Sequence, residues 1–246
     1  QVLTVTEQLE AGVRYLDFRI AHKANDPSMN LYFVHMVYTT VTVEDILWEV
    51  LRWLETHPQE VIILACRNFD GLTKKLHCHL IACIKEIFQC KLCPRNVSMR
   101  SFFPPLRMIY CTNLHPTMWR GELNLSVTSA ELWHNSRDTT AIHSPELFFF
   151  KKRKKKKGEY LMYDFLIFVS EKFFVAGINL TENLRYILVH PFGSLKKMTL
   201  QSLPCLKIWI KQQYPGPKKQ CINIIAGDFI GNGDFVKDVI ELNTKI

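Results

Sequence analysis

The sequence predicts an α/β fold of alternating strands and helices, either a (β/α) barrel or a doubly wound sheet, and three observations carry that expectation. Short runs rich in β-branched and aromatic residues recur at 13–20, 31–37, 61–66, 173–179 and 222–226. Apolar residues at helical spacing separate several of them. The run 61–66 (VIILAC) is apolar without interruption, as a strand covered on both faces requires. With 246 residues, 48% of them hydrophobic, the chain can build one large domain with a sizeable core.

The first third alternates clearly. Residues 13–20 form a short β-rich run, and 31–37 form a second one, dense in apolar residues. Val43, Ile46, Leu47, Val50, Leu51 and Leu54 then follow helical spacing behind Thr42, a candidate cap, and Pro58 closes that helix. After strand 61–66, Leu76, Leu80, Cys83, Ile84 and Ile87 trace a second helix. The last third repeats the rhythm. A strand at 173–179 precedes a helix at 203–214 with Trp209 inward. A strand at 222–226 ends in Gly227-Asp228, and Phe235, Val239, Ile240 and Leu242 suit a terminal helix.

The middle breaks the pattern. Only 106–111 reads as a clean strand between 97 and 172. Phe148-Phe149-Phe150 runs straight into KKRKKKK at 151–157, with no amphipathic period and no turn chemistry. The expectation is one domain over 1–246, with 97–172 an atypical insertion.

Charge narrows the partners. The net charge is +8, but the run at 151–157 supplies seven positive charges and leaves +1 for the rest. No broad basic face for nucleic acid is expected. The eight cysteines are scattered; Cys90 and Cys93 form one C-x-x-C without a second pair, and His77 and His79 lie upstream in the second helix. Neither a metal site nor any cofactor is expected, and reduced thiols in a cytoplasmic protein are the simpler reading. The most apolar stretch, 160–178, is interrupted by Asp164, Glu171 and Lys172, so no membrane span is expected. The sequence opens on Gln1 without a charged or apolar leader and reads as N-terminally shortened.

Polar residues stand out where apolar ones should be. Asp17 and Arg19 end the first strand (YLDFR), and His35 lies in the second (YFVHMVY). Arg67 and Asn68 follow the third (ILACRNF), and Asp228 follows the last (IIAGDFIG). A polar group in an apolar strand costs free energy unless paired. Each has an ordinary explanation: Asp17 with Arg19 as a same-face salt bridge, His35 as a core histidine, Arg67 as an Asp partner, Asp228 as a helix cap. Together they place an acid, guanidiniums and an imidazole at strand ends, where parallel barrels keep their active sites.

The runs GVRYLDFRIA, LYFVHMVYTT, EVIILACRNF, FVAGINLTENL and NIIAGDFIG resemble those of the phosphatidylinositol-specific phospholipase C X domain-containing proteins, in their animal branch. The resemblance covers about 1–94 and 172–246. It implies a distorted TIM-type barrel, here incomplete because the first strand is missing. It also implies phosphodiester cleavage by two histidines. One takes a proton from the inositol 2-hydroxyl as that oxygen attacks phosphorus; the other protonates the departing diacylglycerol oxygen.

His35 matches the acid, Asp17 and Arg19 match the D-x-R element, Arg67 matches a basic residue contacting phosphate or inositol, and Asp228 matches the carboxylate that orients the first histidine. Calcium-dependent relatives carry a carboxylate where Arg19 stands, so the implied chemistry is metal-independent. The family's first histidine lies upstream of GVRYLDFR, and the thirteen residues before Arg14 contain none; His22 falls outside the motif. The expectation is therefore a phosphoinositide phosphodiesterase, inactive in this form, that meets a membrane transiently from the cytoplasm. The alternative is a catalytically dead barrel that binds a phosphoinositide or inositol phosphate head group.

Overall fold

The computed structural model describes residues 2–35, 37–92, 108–112, 128–131, 174–178, 193–216 and 222–246. The chain divides into two compact units. One spans residues 3–127, and the other spans 128–246 with residues 1–2.

In the first unit each helix begins where a hydroxyl can cap it. Helix α1 (Val5–Glu10) opens on Thr4, whose side chain accepts from the Glu7 amide while Glu7 accepts from the Thr4 amide. Helix α2 (Val43–Thr56) opens on Thr42, which exchanges the same two bonds with Asp45. Glu44 and Asp45 put negative charge in its first turn, where the helix dipole favours it. Helix α3 (Lys74–Phe88) opens on Thr73. The expected cap at Thr42 is therefore realised, and α2 stops one residue before His57-Pro58.

Five strands form the sheet of this unit: β1 (Tyr15–Ala21), β2 (Tyr32–His35), β3 (Val37–Thr42), β4 (Val61–Asp70) and β5 (Met108–Thr112), in the order β3-β2-β1-β4-β5. β1, β4 and β5 run parallel. β2 runs antiparallel to β1, and β3 antiparallel to β2. The all-parallel arrangement expected of these strands is therefore corrected at β2. The connection 22–31 is shorter than the dozen or so residues a parallel crossover needs. Asn25, in a left-handed conformation, helps turn the chain there.

Alternation divides the sheet. Leu16, Phe18 and Ile20 of β1, with Ile62, Leu64 and Cys66 of β4, are buried on one face. They join Leu9 of α1, Leu47, Val50 and Leu54 of α2, and Leu80, Ile84 and Phe88 of α3 in one core. Tyr15, Asp17, Arg19, Ile63, Ala65 and Arg67 occupy the opposite parity.

The second unit holds a parallel three-stranded sheet: β6 (Thr128–Glu131), β7 (Phe174–Gly177) and β8 (Ile224–Ala226), in that order. Helix α4 (Leu195–Gln212) is capped by Ser194 and begins well before residue 203, where the sequence predicts it. It runs through Pro204, a residue that normally argues for a break. Its buried residues include Leu206, Ile210 and the expected Trp209. Helix α5 (Phe235–Glu241) is tied to α4 by Asp238, which lies 3.3 Å from Lys211 and 3.8 Å from Lys207.

The molecule is thus α/β, as expected. Among the described residues the strands form two sheets that no hydrogen-bonded ladder closes into a barrel. The basic run 151–157, Cys93, and most of the 97–172 segment lie outside the described residues. No helix among the described residues is long and apolar enough to cross a membrane.

Candidate functional site

The site begins with register. Tyr15 pairs with Ile63, Asp17 with Ala65 and Arg19 with Arg67. Paired residues of parallel strands share a face, about 4.8 Å apart. Asp17, Arg19 and Arg67 are therefore gathered by the ladder itself.

Arg67 turns to Asp17. Its Nε donates to Asp17 Oδ1 at 2.6 Å and its Nη2 donates to Oδ2, a two-pronged fork. Arg19 Nε stands 3.8 Å from Asp17 Oδ2, an ion pair beyond hydrogen-bond reach. The three side chains are 25% (Asp17), 27% (Arg67) and 30% (Arg19) exposed, so solvent screens them only in part. Among the described residues, two guanidiniums face one carboxylate and leave one net positive charge, which suits a single anionic phosphoryl group.

Two neighbours feel this cluster. The Tyr15 phenol is pushed up to about 12, first by burial and then by the Asp17 carboxylate. The Cys66 thiol is also pushed up to about 12 by complete burial and by Asp17. Both stay neutral at physiological pH, so Cys66 is no nucleophile here. Tyr15 belongs to the site and was overlooked in the sequence, although its spacing of two from Asp17 signals a shared face.

Beyond Arg67 the end of β4 is strained. Asn68 (φ 72°) and Phe69 (φ 61°) are both left-handed, and the register slips between Ile20 and Ala21, so that Ala21 pairs with Asp70. Such a conformation at an aromatic residue costs about 1–3 kcal/mol and persists only when the surroundings enforce it. Bulges of this kind gather at strand ends beside functional sites.

His35 is the last residue of β2, and its backbone pairs with Val37. Because β2 is antiparallel to β1, its C-terminal end runs back along β1 and does not stand beside the C-terminal ends of β1 and β4. The expected line-up of His35 with equivalent strand ends is corrected accordingly; its side chain lies outside the described residues. Asp228 is half-buried in the turn after β8, in the other unit. It does not cap the last helix, a place taken by Asp234.

His22, His77, His79 and Cys90 have local surroundings of their own. His22 Nε2 hydrogen-bonds the Ser28 carbonyl at 2.9 Å, and the His77 ring packs on Phe69. His79 lies 3.7–3.8 Å from Cys83, a weak contact. Cys90 is exposed and free. No group of three metal-ligating side chains occurs among the described residues.

Residues 1–95 match the family model described as PI-PLC X 1. The chain is 46% identical over 260 residues to PI-PLC X domain-containing protein 1 of Homo sapiens, covering 100% of this chain and 72% of that protein. The Danio rerio protein of the same name is 38% identical, with 97% of this chain and 74% of the relative covered. Among solved structures, phosphatidylinositol-specific phospholipase C from Listeria monocytogenes superposes with a TM-score of 0.60 at 14% identity, covering 99% of this chain and 83% of that one. A Staphylococcus aureus phosphatidylinositol-specific phospholipase C gives 0.60 at 15%, covering 98% and 83%. At these identities the likeness speaks for the fold. The sequence relatives go further, and on their evidence the chain belongs to the family of PI-PLC X domain-containing proteins.

Proposed function

We propose that the chain forms a phosphoric diester hydrolase of the phosphatidylinositol-specific phospholipase C type, with a phosphoinositide head group as substrate. The observation that carries the reading is the Asp17–Arg67 fork with Arg19 beside it, on one face of β1 and β4. Its net positive charge complements a phosphodiester. Asp17 holds the Arg67 fork rigid, and Arg19 keeps N–H donors for phosphoryl oxygens.

In this reading the inositol 2-hydroxyl attacks phosphorus and the phosphorus–oxygen bond to diacylglycerol breaks, leaving a cyclic inositol phosphate. His35 gives its proton to the departing oxygen. A second histidine, in a longer chain, takes the proton of the 2-hydroxyl, and Asp228 orients it. An arginine at 19 cannot ligate a cation, so the chemistry is metal-independent. In this reading the chain is one X-type barrel domain over 1–246, with 97–172 an atypical insertion. Superposition of 98% of the chain on single phospholipase C chains supports that organisation. The protein works from the cytoplasm, peripherally at a membrane, where its substrate resides.

The test is turnover of phosphatidylinositol vesicles, followed by ³¹P NMR of inositol cyclic phosphate. A chain extended upstream to include a histidine is expected to be active with EDTA present; strict calcium dependence would refute the role of Arg19. Residues 1–246 alone are expected to stay at background, and an enzyme-like rate from them would remove the need for the upstream base. A binding module is the second reading. It is favoured by one observation: among the described residues, the fork and the ion pair that gather Asp17, Arg67 and Arg19 involve no histidine. Head-group binding without turnover in the extended chain would select it.

A further inference from the structure

At the end of β4 stands a residue that no role above uses. Asn68 pairs in register with Ile20, which is 0% exposed. In a regular parallel ladder both side chains would share that buried face. Asn68 is instead exposed, because the left-handed backbone at 68 and 69 takes it out of the strand's alternation.

Three contacts hold this turn. Phe69 packs against the core, with its ring 4.9 Å from that of His77. The Asp70 carbonyl accepts the His22 N–H at 2.9 Å. Gly71, at φ 73°, lies so near His22 that a Cβ would stand 2.9 Å from its carbonyl oxygen. Asn68 is thereby fixed next in the chain to Arg67, about 3.8 Å away between Cα atoms. Its carboxamide makes no hydrogen bond among the described residues.

We propose that Asn68 is a specificity residue that reads the hydroxyl groups of a polyol phosphate held by Arg19 and Arg67. This rests on the phosphate-clamp reading above. A phosphate clamp alone treats inositol phosphate and glycerol phosphate alike, since the anion is the same. What differs is the pattern of hydroxyls beyond it. A carboxamide offers two donors and a two-lone-pair acceptor, so it can pair with neighbouring hydroxyls that each donate and accept. It adds no charge to the clamp. Its backbone is already set, so little ordering is required on binding. Asparagine also tolerates the left-handed region, and a role confined to the backbone would be served as well by glycine.

The full chain is titrated with myo-inositol 1-phosphate and with glycerol 3-phosphate, by calorimetry or NMR, as wild type and as Asn68→Gly and Asn68→Asp. Glycine keeps the left-handed backbone and removes the carboxamide. Aspartate keeps the shape and the backbone tolerance but removes the donors, and its charge weakens both phosphates alike. Wild type is expected to favour the inositol phosphate, and each variant to narrow that preference about tenfold. Circular dichroism establishes that each variant folds, and should glycine loosen the turn, aspartate carries the test. An unchanged ratio in a folded variant overturns the role of Asn68 and leaves the clamp standing. Failure of the wild type to bind either phosphate overturns the clamp and, with it, this proposal.

Discussion

The β1/β4 and β7/β8 ladders are both parallel, yet they are built differently. Along β1 and β4 one parity is apolar and buried by helices, while the other carries Tyr15, Asp17, Arg19 and Arg67. Along β7 and β8 the paired residues are Val175 with Ile224, Ala176 with Ile225, and Gly177 with Ala226, with no polar side chain among them. Polarity there waits until the chain has left the strand, at Asp228. Gly227 before it is packed tightly, since a Cβ would meet Ile178 and Phe235 at 3.2 Å. Charged groups are tolerated inside the first ladder because they are paired with each other across the register. The second has no such partner and keeps its strand interior apolar.

The sharpest break of this contrast is functional. In an active extended chain, His35→Ala is expected to lower kcat by about 10²- to 10⁴-fold. A loss below tenfold would remove His35 from proton transfer. Next comes the face that the two ladders share in kind. Leu64→Ala, at a fully buried position of β4, is expected to cost about 2–5 kcal/mol in urea unfolding, as is Ile210→Ala in α4. A cost near zero for either would mean that its unit lacks the packed core described.

The polar face is expected to matter less for stability. Asp17→Asn removes the charge that holds both arginines and should cost about 1–3 kcal/mol. The same variant should also lower activity, because Arg67 loses its orientation. A stable variant with normal activity would mean that the fork is incidental.

The smallest effect concerns Tyr15. Its folded value, about 12, lies above the ordinary value of 10, so the folded state holds the phenolic proton more tightly than the unfolded state. Its contribution is complete below pH 10 and is lost as pH rises toward 12. Tyr15→Phe should flatten the fall of the urea midpoint over that window. An identical fall in both proteins would locate the alkaline transition elsewhere, with buried Cys66 the next group to test.

Much of the first unit was legible in the sequence. The α2 helix could be read to its cap, because Thr42, Asp45 and the spacing of Val43, Leu47, Val50 and Leu54 are all local signals. Helix α1 was missed because six residues hold too little periodicity to show. Helix α4 was read too short because buried residues of its first half include Thr199 and Ser202, which carry no apolar signal. Of the site, Asp17 and Arg19 were visible as a same-face pair. Arg67 was legible as the partner of an Asp but not of which one, because Asp17 and Arg67 are 50 residues apart and meet only through the β1/β4 register.

The direction of β2 shows the same limit. Periodicity reveals a strand but not its sense, and here the short connection 22–31 decided it. By itself, then, the sequence determined the elements, the family-bearing motifs and the residue types able to hold a phosphate, since these depend on neighbours within a few residues. Only the tertiary structure decided that Arg67 serves Asp17, that β2 turns back, and that Asn68 leaves the buried face, because each depends on how distant strands register over a common core.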